Sequence, residues 1–447
     1  MKKLISIILV AALLLGAFSL LASAAPDLTL PSLKEVYKDH FYLGNVLEQG
    51  VFVDDRLALM EHHFNSLTCE DNMKPHTLYT QDRQLDFTKV EAQLAHADGI
   101  AQLLHGHFLF GAVEYSDVTP DWMFQNDDLS PLTRQQAQQR AADHINAVAG
   151  QFAGRVYSWD VINEALRGEW LGYLDWRHSV RKDNIWLAFE NGAAPGESGA
   201  DYIDFAFRTA RAADPNAVLY YNENKMNFYG KPRLAAAMIK EINDKWLAEG
   251  NDRLLIEGIG MQAHFNLSTK PKDFERNIKM FADMGLEISI SEVSCWIDPQ
   301  NRGFGNSPLP TPIEIKLQAQ KYAELFQVLK RNSHVIKRVT FWGLDDGWNS
   351  SVPIDLYAIG SAPHMFDAEL NAKPAFYAVA DPDGYLRDNP RMWFNGFHIY
   401  MKDATKAMWM NEGLYSEDAF TRMQYRSLYL LMLPGAEVVR FYRSLKS

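Results

Sequence analysis

Eight short segments rich in apolar residues recur between residues 42 and 346, and many of them lack an obvious polar face. They are YLGNVL (42–47), FNSLTCE (64–70), QLLHGHFLF (102–110), RVYSWDVINE (155–164), AVLYYNEN (217–224), LLIEGIGMQAHF (254–265), LEISISEV (286–293) and KRVTFWGLDD (337–346). Helical periodicity lies between them, at 134–151, 201–213, 231–248, 272–284 and 313–331. Strands buried on both faces are parallel strands covered by helices. Eight of them alternating with helices predict an α/β chain folded as a (β/α)8 TIM barrel. The competing open, doubly wound sheet calls for a glycine-rich phosphate loop after the first strand, and GNVLEQG (44–50) matches that poorly.

The strand ends favour the barrel. Most of them close on polar or ionisable residues: Glu70 to Lys74, His107, Asn163-Glu164, Asn222-Glu223, Gln262 and His264, Glu292, and Asp345-Asp346. A strand turning polar where it meets solvent explains any one case. A barrel collects all such ends on one face, where barrel enzymes keep their active sites.

Glu164 and Glu292 stand out because both end strongly apolar strands, the fourth and the seventh. Glycoside hydrolysis uses such a pair, one acid to protonate the leaving oxygen and one carboxylate to attack or to activate water. An apolar wall and a nearby like charge keep the acid protonated near neutral pH. A metal site and a purely structural network are the other readings of the pair. Neither an HExxH motif nor a GxSxG elbow occurs, and EHH (61–63) is expected on the surface at the start of a strand, away from the active face.

Outside the barrel the chain divides simply. Lys2 and Lys3, an apolar run from Leu4 to about Leu21 and Ala22-Ser23-Ala24 form the pattern of a secretory signal peptide over 1–24, so a secreted or periplasmic location is expected. An uncleaved anchor helix is the alternative, since the run approaches spanning length. The barrel is assigned to 25–384. Residues 385–447, with Trp393, Phe394 and Trp409, read as a short, mainly helical extension of unknown role. Formal charge is −12, which disfavours nucleic acid and anionic membrane as partners. Cys69 and Cys295 are too few for a disulfide scaffold and are expected to be buried, unpaired thiols.

WDVINEAL and ISISEV resemble the acid/base and nucleophile signatures of glycoside hydrolase family 10, whose characteristic members are endo-β-1,4-xylanases. FNSLTCEDNMK, LLHGHFLF, GIGMQAHF, TFWGLDDG and FDAELNAKPAFYAV resemble further segments of that family, in consistent order over roughly 40–380. The resemblance implies a retaining endo-β-1,4-glycanase acting on xylan by double displacement, without metal or organic cofactor. It implies Glu164 as acid/base, Glu292 as nucleophile, and Asn163 on the sugar 2-hydroxyl. His264 would hold Glu292 in position and Gln262 would line the same pocket. Lys74, Glu70 and His107 would bind glycone hydroxyls over an aromatic floor, Trp342. A polysaccharide or oligosaccharide is the partner so implied.

The chain departs from the family pattern at several positions. Gly111-Ala112 stand where the family typically has Trp-His, and Glu114 replaces a usual Gln. Asp71 stands for a common Asn, Pro75 for a common Trp, and NENK (222–225) for NDYN. In the eighth-strand loop Ser350 replaces a usual Trp, with Trp348 nearby. Most of these positions are expected on the glycone side, and loss of an indole and an imidazole at 111–112 would open space there. Two further readings therefore stand: a β-glycanase for a different or decorated β-glycan, and a glycan-binding barrel with little activity.

Overall fold

The computed structural model describes residues 26–47, 54–97, 99–111, 118–167, 175–297, 310, 312–347 and 362–389. The leader, Ala112, Glu114, Trp348, Ser350 and the extension from residue 390 lie outside the described residues. Eight parallel strands close on themselves: β1 (Tyr42–Leu47), β2 (Ser66–Cys69), β3 (Leu103–Gly111), β4 (Ser158–Asn163), β5 (Val218–Glu223), β6 (Gly258–Met261), β8 (Glu287–Trp296) and β9 (Ile336–Phe341). β1 pairs with both β2 and β9, and β6 pairs with β8, which completes the ring. A ninth short strand, β7 (His264–Asn266), pairs only with the far end of β8.

Helices follow the barrel strands on the outside: α1 (Asp54–His63), α2 (Thr88–Ala97), α3 (Arg134–Gln151), α4 (Tyr202–Ala213), α5 (Gly230–Ala248), α6 (Pro271–Ala282), α7 (Pro312–Arg331) and α8 (Pro374–Ala380). Local sequence sets several of their starts. Thr133 and Gln136 form a reciprocal capping box at the head of α3, a device that contributes about 1 kcal/mol. Behind it Ala137, Ala141, Ile145 and Val148 bury one stripe against the sheet. α6 and α8 carry proline in their first turn, where the missing N–H costs nothing. Tyr37 Oη donates to the Val379 carbonyl at 2.6 Å and ties the start of the domain to α8.

The two faces of the strands differ more than the sequence suggests. Outward positions such as Leu67, Trp159, Val161, Leu219, Ile259, Ile288, Ile290 and Val339 are fully buried against the helices. The alternate positions are small or polar and equally buried: Ser66, Thr68, His105, Ser158, Asp160, Ser289, Arg338 and Thr340. Arg338 Nη1 donates to Thr68 Oγ1 at 3.1 Å, and His105 Nδ1 meets Ser158 Oγ at 2.7 Å. The barrel interior is thus a polar network where branched aliphatics are the common filling. Cys69 and Cys295 are buried free thiols, as expected.

EHH needs correction. These residues end helix α1 instead of starting a strand, and His63 is fully buried, where burial pushes its imidazole down to about 3.

Candidate active site

Because all eight strands are parallel, their C-terminal ends share one face. Asn163 is the last residue of β4 and Glu164 follows it. Gln262 follows β6, His264 begins β7, Glu292 lies in β8, and Trp342 follows β9. Glu70 and Lys74 lie just beyond β2, and His107 lies in β3. Both glutamates are almost wholly enclosed, Glu164 at 5% exposure and Glu292 at 4%.

A continuous set of hydrogen bonds joins them. Gln262 Nε2 donates to Glu164 Oε1 at 2.9 Å and reaches Asn163 Oδ1 at 3.4 Å. Asn222 Nδ2 donates to Asn163 Oδ1 at 2.9 Å and to Glu292 Oε1 at 2.7 Å. The other oxygen of Glu292 takes His264 Nε2 at 3.0 Å. With a neutral ring, that bond puts the proton on Nε2 and leaves Nδ1 as an acceptor for the Ser294 hydroxyl, 2.9 Å away. Ser294 Oγ in turn accepts from Trp296 Nε1 at 2.9 Å. Each carboxylate oxygen of Glu292 therefore has a fixed donor. Asn222 owes its place to Gly260, whose missing side chain leaves the space that the Asn222 amide fills.

Strain accompanies this geometry. Glu164, Lys225 and Ala263 are left-handed at φ 52, 58 and 62°, and each lies just beyond the end of one of three successive strands, β4, β5 and β6. Such backbone costs about 1–3 kcal/mol per residue and persists where surrounding contacts enforce it, as at functional sites. For Glu164 the contacts are plain: its N–H donates to Asn222 O at 2.9 Å, and its carbonyl accepts from Arg181 Nε at 2.7 Å.

Burial pushes the Glu164 carboxyl up to about 7, Glu223 adds to the rise, and Glu292 adds a smaller part. Gln262 and Lys231 work the other way. The like charge that matters most is therefore Glu223, at the end of β5, and not the Glu292 expected from the sequence.

Beyond the end of β2, Lys74 Nζ pairs with Glu70 Oε1, both side chains buried. Burial disfavours that ammonium, but Glu70, Asp71 and Glu292 outweigh it and raise its pKa. His107 Nδ1 lies 2.7 Å from Asp160 Oδ2, and His105 Nε2 reaches the same oxygen at 2.9 Å. Burial opposes ionisation of Asp160, yet the two imidazoles hold its carboxyl well below the usual range. The Trp342 ring stands edge-on to His107, centroids 5.1 Å apart. The nine candidate site residues, Glu164, Glu292, Asn163, Lys74, Glu70, His107, Gln262, His264 and Trp342, thus lie toward this one face.

Asp160 and Ser294 complete the cluster and were not singled out in the sequence, while Asn222 was visible there as a strand end but was assigned no role. Asp160 had a signal, since Ser158 and Asp160 repeat a polar residue every second position within an apolar strand.

Position 111 does not open space. Gly111 lies at φ 152° in register with Asn163, and a Cβ there would fall 2.4 Å from the Asn163 carbonyl oxygen. Asn163, at the end of β4, fills the place. Gly111→Ala is expected to cost about 2 kcal/mol or more in stability. It should also lower kcat by displacing Asn163. Thermal denaturation and steady-state kinetics measure the two effects.

Fold and site together define a (β/α)8 barrel with a hydrogen-bonded carboxylate pair at the strand ends. The chain belongs to glycosyl hydrolase family 10, whose family model, Glycosyl hydrolase family 10, matches residues 32–382. Endo-1,4-beta-xylanase A of Thermotoga neapolitana is 33% identical over 368 residues, 80% of this chain and 31% of that protein. The chain thus spans about a third of that relative. Beta-1,4-xylanase of Dictyoglomus thermophilum is 30% identical over 378 residues, 83% of this chain and 97% of the relative. Among solved structures, an endo-1,4-beta-xylanase from Caldicellulosiruptor owensensis superposes with a TM-score of 0.67 at 27% identity, covering 78% of this chain and 99% of its own.

Proposed function

We propose that this chain is a retaining endo-β-1,4-glycanase that hydrolyses β-1,4-xylan by double displacement. The observation that carries the reading is the asymmetry of the carboxylate pair. Glu164 is held as an acid near neutral pH, while both oxygens of Glu292 accept hydrogen bonds from fixed donors. In the first step Glu164 protonates the glycosidic oxygen as Glu292 attacks the anomeric carbon and forms a glycosyl ester. In the second step Glu164, now a carboxylate, takes a proton from water as water displaces Glu292. Asn163, next to Glu164 in the chain, would meet the sugar 2-hydroxyl, a contact that gains strength as the transition state forms. Xylan is the substrate named for the relatives above, and their likeness supports it here.

Product analysis on a panel of β-1,4-xylans and β-glucans tests the reading. Proton NMR of the first products should show the β-anomer before mutarotation, with xylan giving the highest kcat/KM. An α-anomer first product excludes double displacement. Higher kcat/KM on a β-glucan excludes xylan as the main substrate.

A further inference from the structure

Behind the loop that carries Glu164 lies a second, fully enclosed charge pair. Strand alternation sends Glu223 to the opposite side of β5 from Asn222. There its carboxylate meets Lys231, in the first turn of α5, with Nζ 2.6 Å from Oε1 and both side chains buried. Oε1 also accepts from the Asn224 N–H at 2.9 Å. Oε2 accepts from Tyr221 Oη and, at 3.1 Å, from the N–H of Leu166. All four contacts are with donors, the environment of an ionised carboxylate.

The Leu166 bond matters because Leu166 is two residues past Glu164. With Glu164 N bonded to Asn222 O, the stretch 164–166 is fastened to the end of β5 at both of its ends. That double attachment helps hold the left-handed backbone of Glu164.

We propose that Glu223, with Lys231 as its counter-charge, is the positioning residue of Glu164, fixing the 164–166 loop and setting the pH at which Glu164 gives up its proton. The inference rests on the reading of Glu164 as proton donor. The groups facing Glu164 are Glu223 from β5, Lys231 from α5, Glu292 from β8, Gln262 after β6, and Arg181, whose Nη2 lies 3.8 Å from Glu164 Oε2. Asp183 and Tyr202 stand behind Arg181 and Glu223. After burial itself, Glu223 makes the largest contribution to the raised pKa of Glu164, and Lys231 offsets part of it. The two like charges differ over the catalytic cycle. Glu292 loses its charge on becoming an ester, whereas Glu223 keeps its own throughout. Glu223 therefore keeps Glu164 basic enough to accept a proton from water in the second step, when the push from Glu292 has gone.

Carbon-13 NMR of protein labelled at the glutamate carboxyls, with the Glu164 signal assigned through Glu164→Gln, tests this without substrate. In Glu223→Gln the midpoint of Glu164 should fall by about one pH unit, a tenfold change in proton affinity. The alkaline limb of kcat/KM should fall with it. Glu223→Asp keeps the charge but shortens the reach to Leu166, so the midpoint should stay while kcat falls. If Glu223→Gln does not fold, Lys231→Met carries the test, and its midpoint should rise. An unmoved midpoint in Glu223→Gln or Lys231→Met overturns the proposal, as does an equal shift in Glu223→Gln and Glu223→Asp. Wild-type hydrolysis by Glu164→Gln would instead remove the proton-donor assignment, and the titration would still decide the coupling.

Discussion

Glu292→Ala lowers kcat by at least about three orders of magnitude, and added azide restores bond cleavage with an inverted glycosyl azide as product. The loss follows because, among the described residues, no other carboxylate at the mouth replaces it. Glu164 is engaged by Gln262 on its own side of the network, and Glu70 is paired with Lys74. The rescue follows from what the substitution leaves behind. Asn222 Nδ2 and His264 Nε2 still point at the vacated position, so a small anion finds two donors already in place. Azide bound there attacks from the face that Glu292 would have used, and the product stops at one displacement. A merely structural Glu292 would give a variant with lost or unchanged hydrolysis and no azide adduct. Mass spectrometry and NMR of the product decide between them, with circular dichroism to confirm that the variant is folded.

The barrel was legible in the sequence because its outward strand faces are strongly apolar and the intervening helices carry clear periodicity. YLGNVL at 42–47 and the helix at 134–151 keep their predicted bounds, the latter because Thr133 and Gln136 announce its start. The sixth run, read as one strand over 254–265, is instead two pieces, Gly258–Met261 and His264–Asn266. No glycine or proline marks the break at Gln262-Ala263, because tertiary contacts hold Ala263 at positive φ. Glu164 and Glu292 were legible as ionisable residues ending apolar strands. Glu223 was equally visible as a strand end, but its effect on Glu164 was not. That effect depends on which side of β5 the side chain takes, and on Leu166 and Lys231 meeting it there. Gly111 misled for a similar reason. Read as a lost side chain it suggests a gap, whereas Asn163 at the end of β4 occupies the place where that side chain would begin.

Glu164→Gln separates the two halves of the reaction, and the size of its effect depends on the leaving group. On a glycan the departing oxygen is a poor leaving group and needs a proton. Loss of the acid should then lower kcat/KM by about three orders of magnitude, within the range of general acid catalysis. On an aryl glycoside with an acidic phenol, departure needs little help, and the first step should be nearly spared. The second step still lacks its base, so the glycosyl ester on Glu292 accumulates and a burst of phenol precedes a slow steady state. KM should fall along with kcat for that substrate. The pH dependence gives an independent reading. In the wild type, kcat/KM should decline above about pH 7, because burial, Glu223 and Glu292 hold the Glu164 proton up to that range and its loss removes the acid. Glutamine has no proton to lose, so the alkaline limb should vanish in the variant. Gln262 can still donate to the amide oxygen, which keeps the geometry comparable. An equal loss on glycan and activated aryl glycoside, with the alkaline limb retained, would assign the acid role to another group.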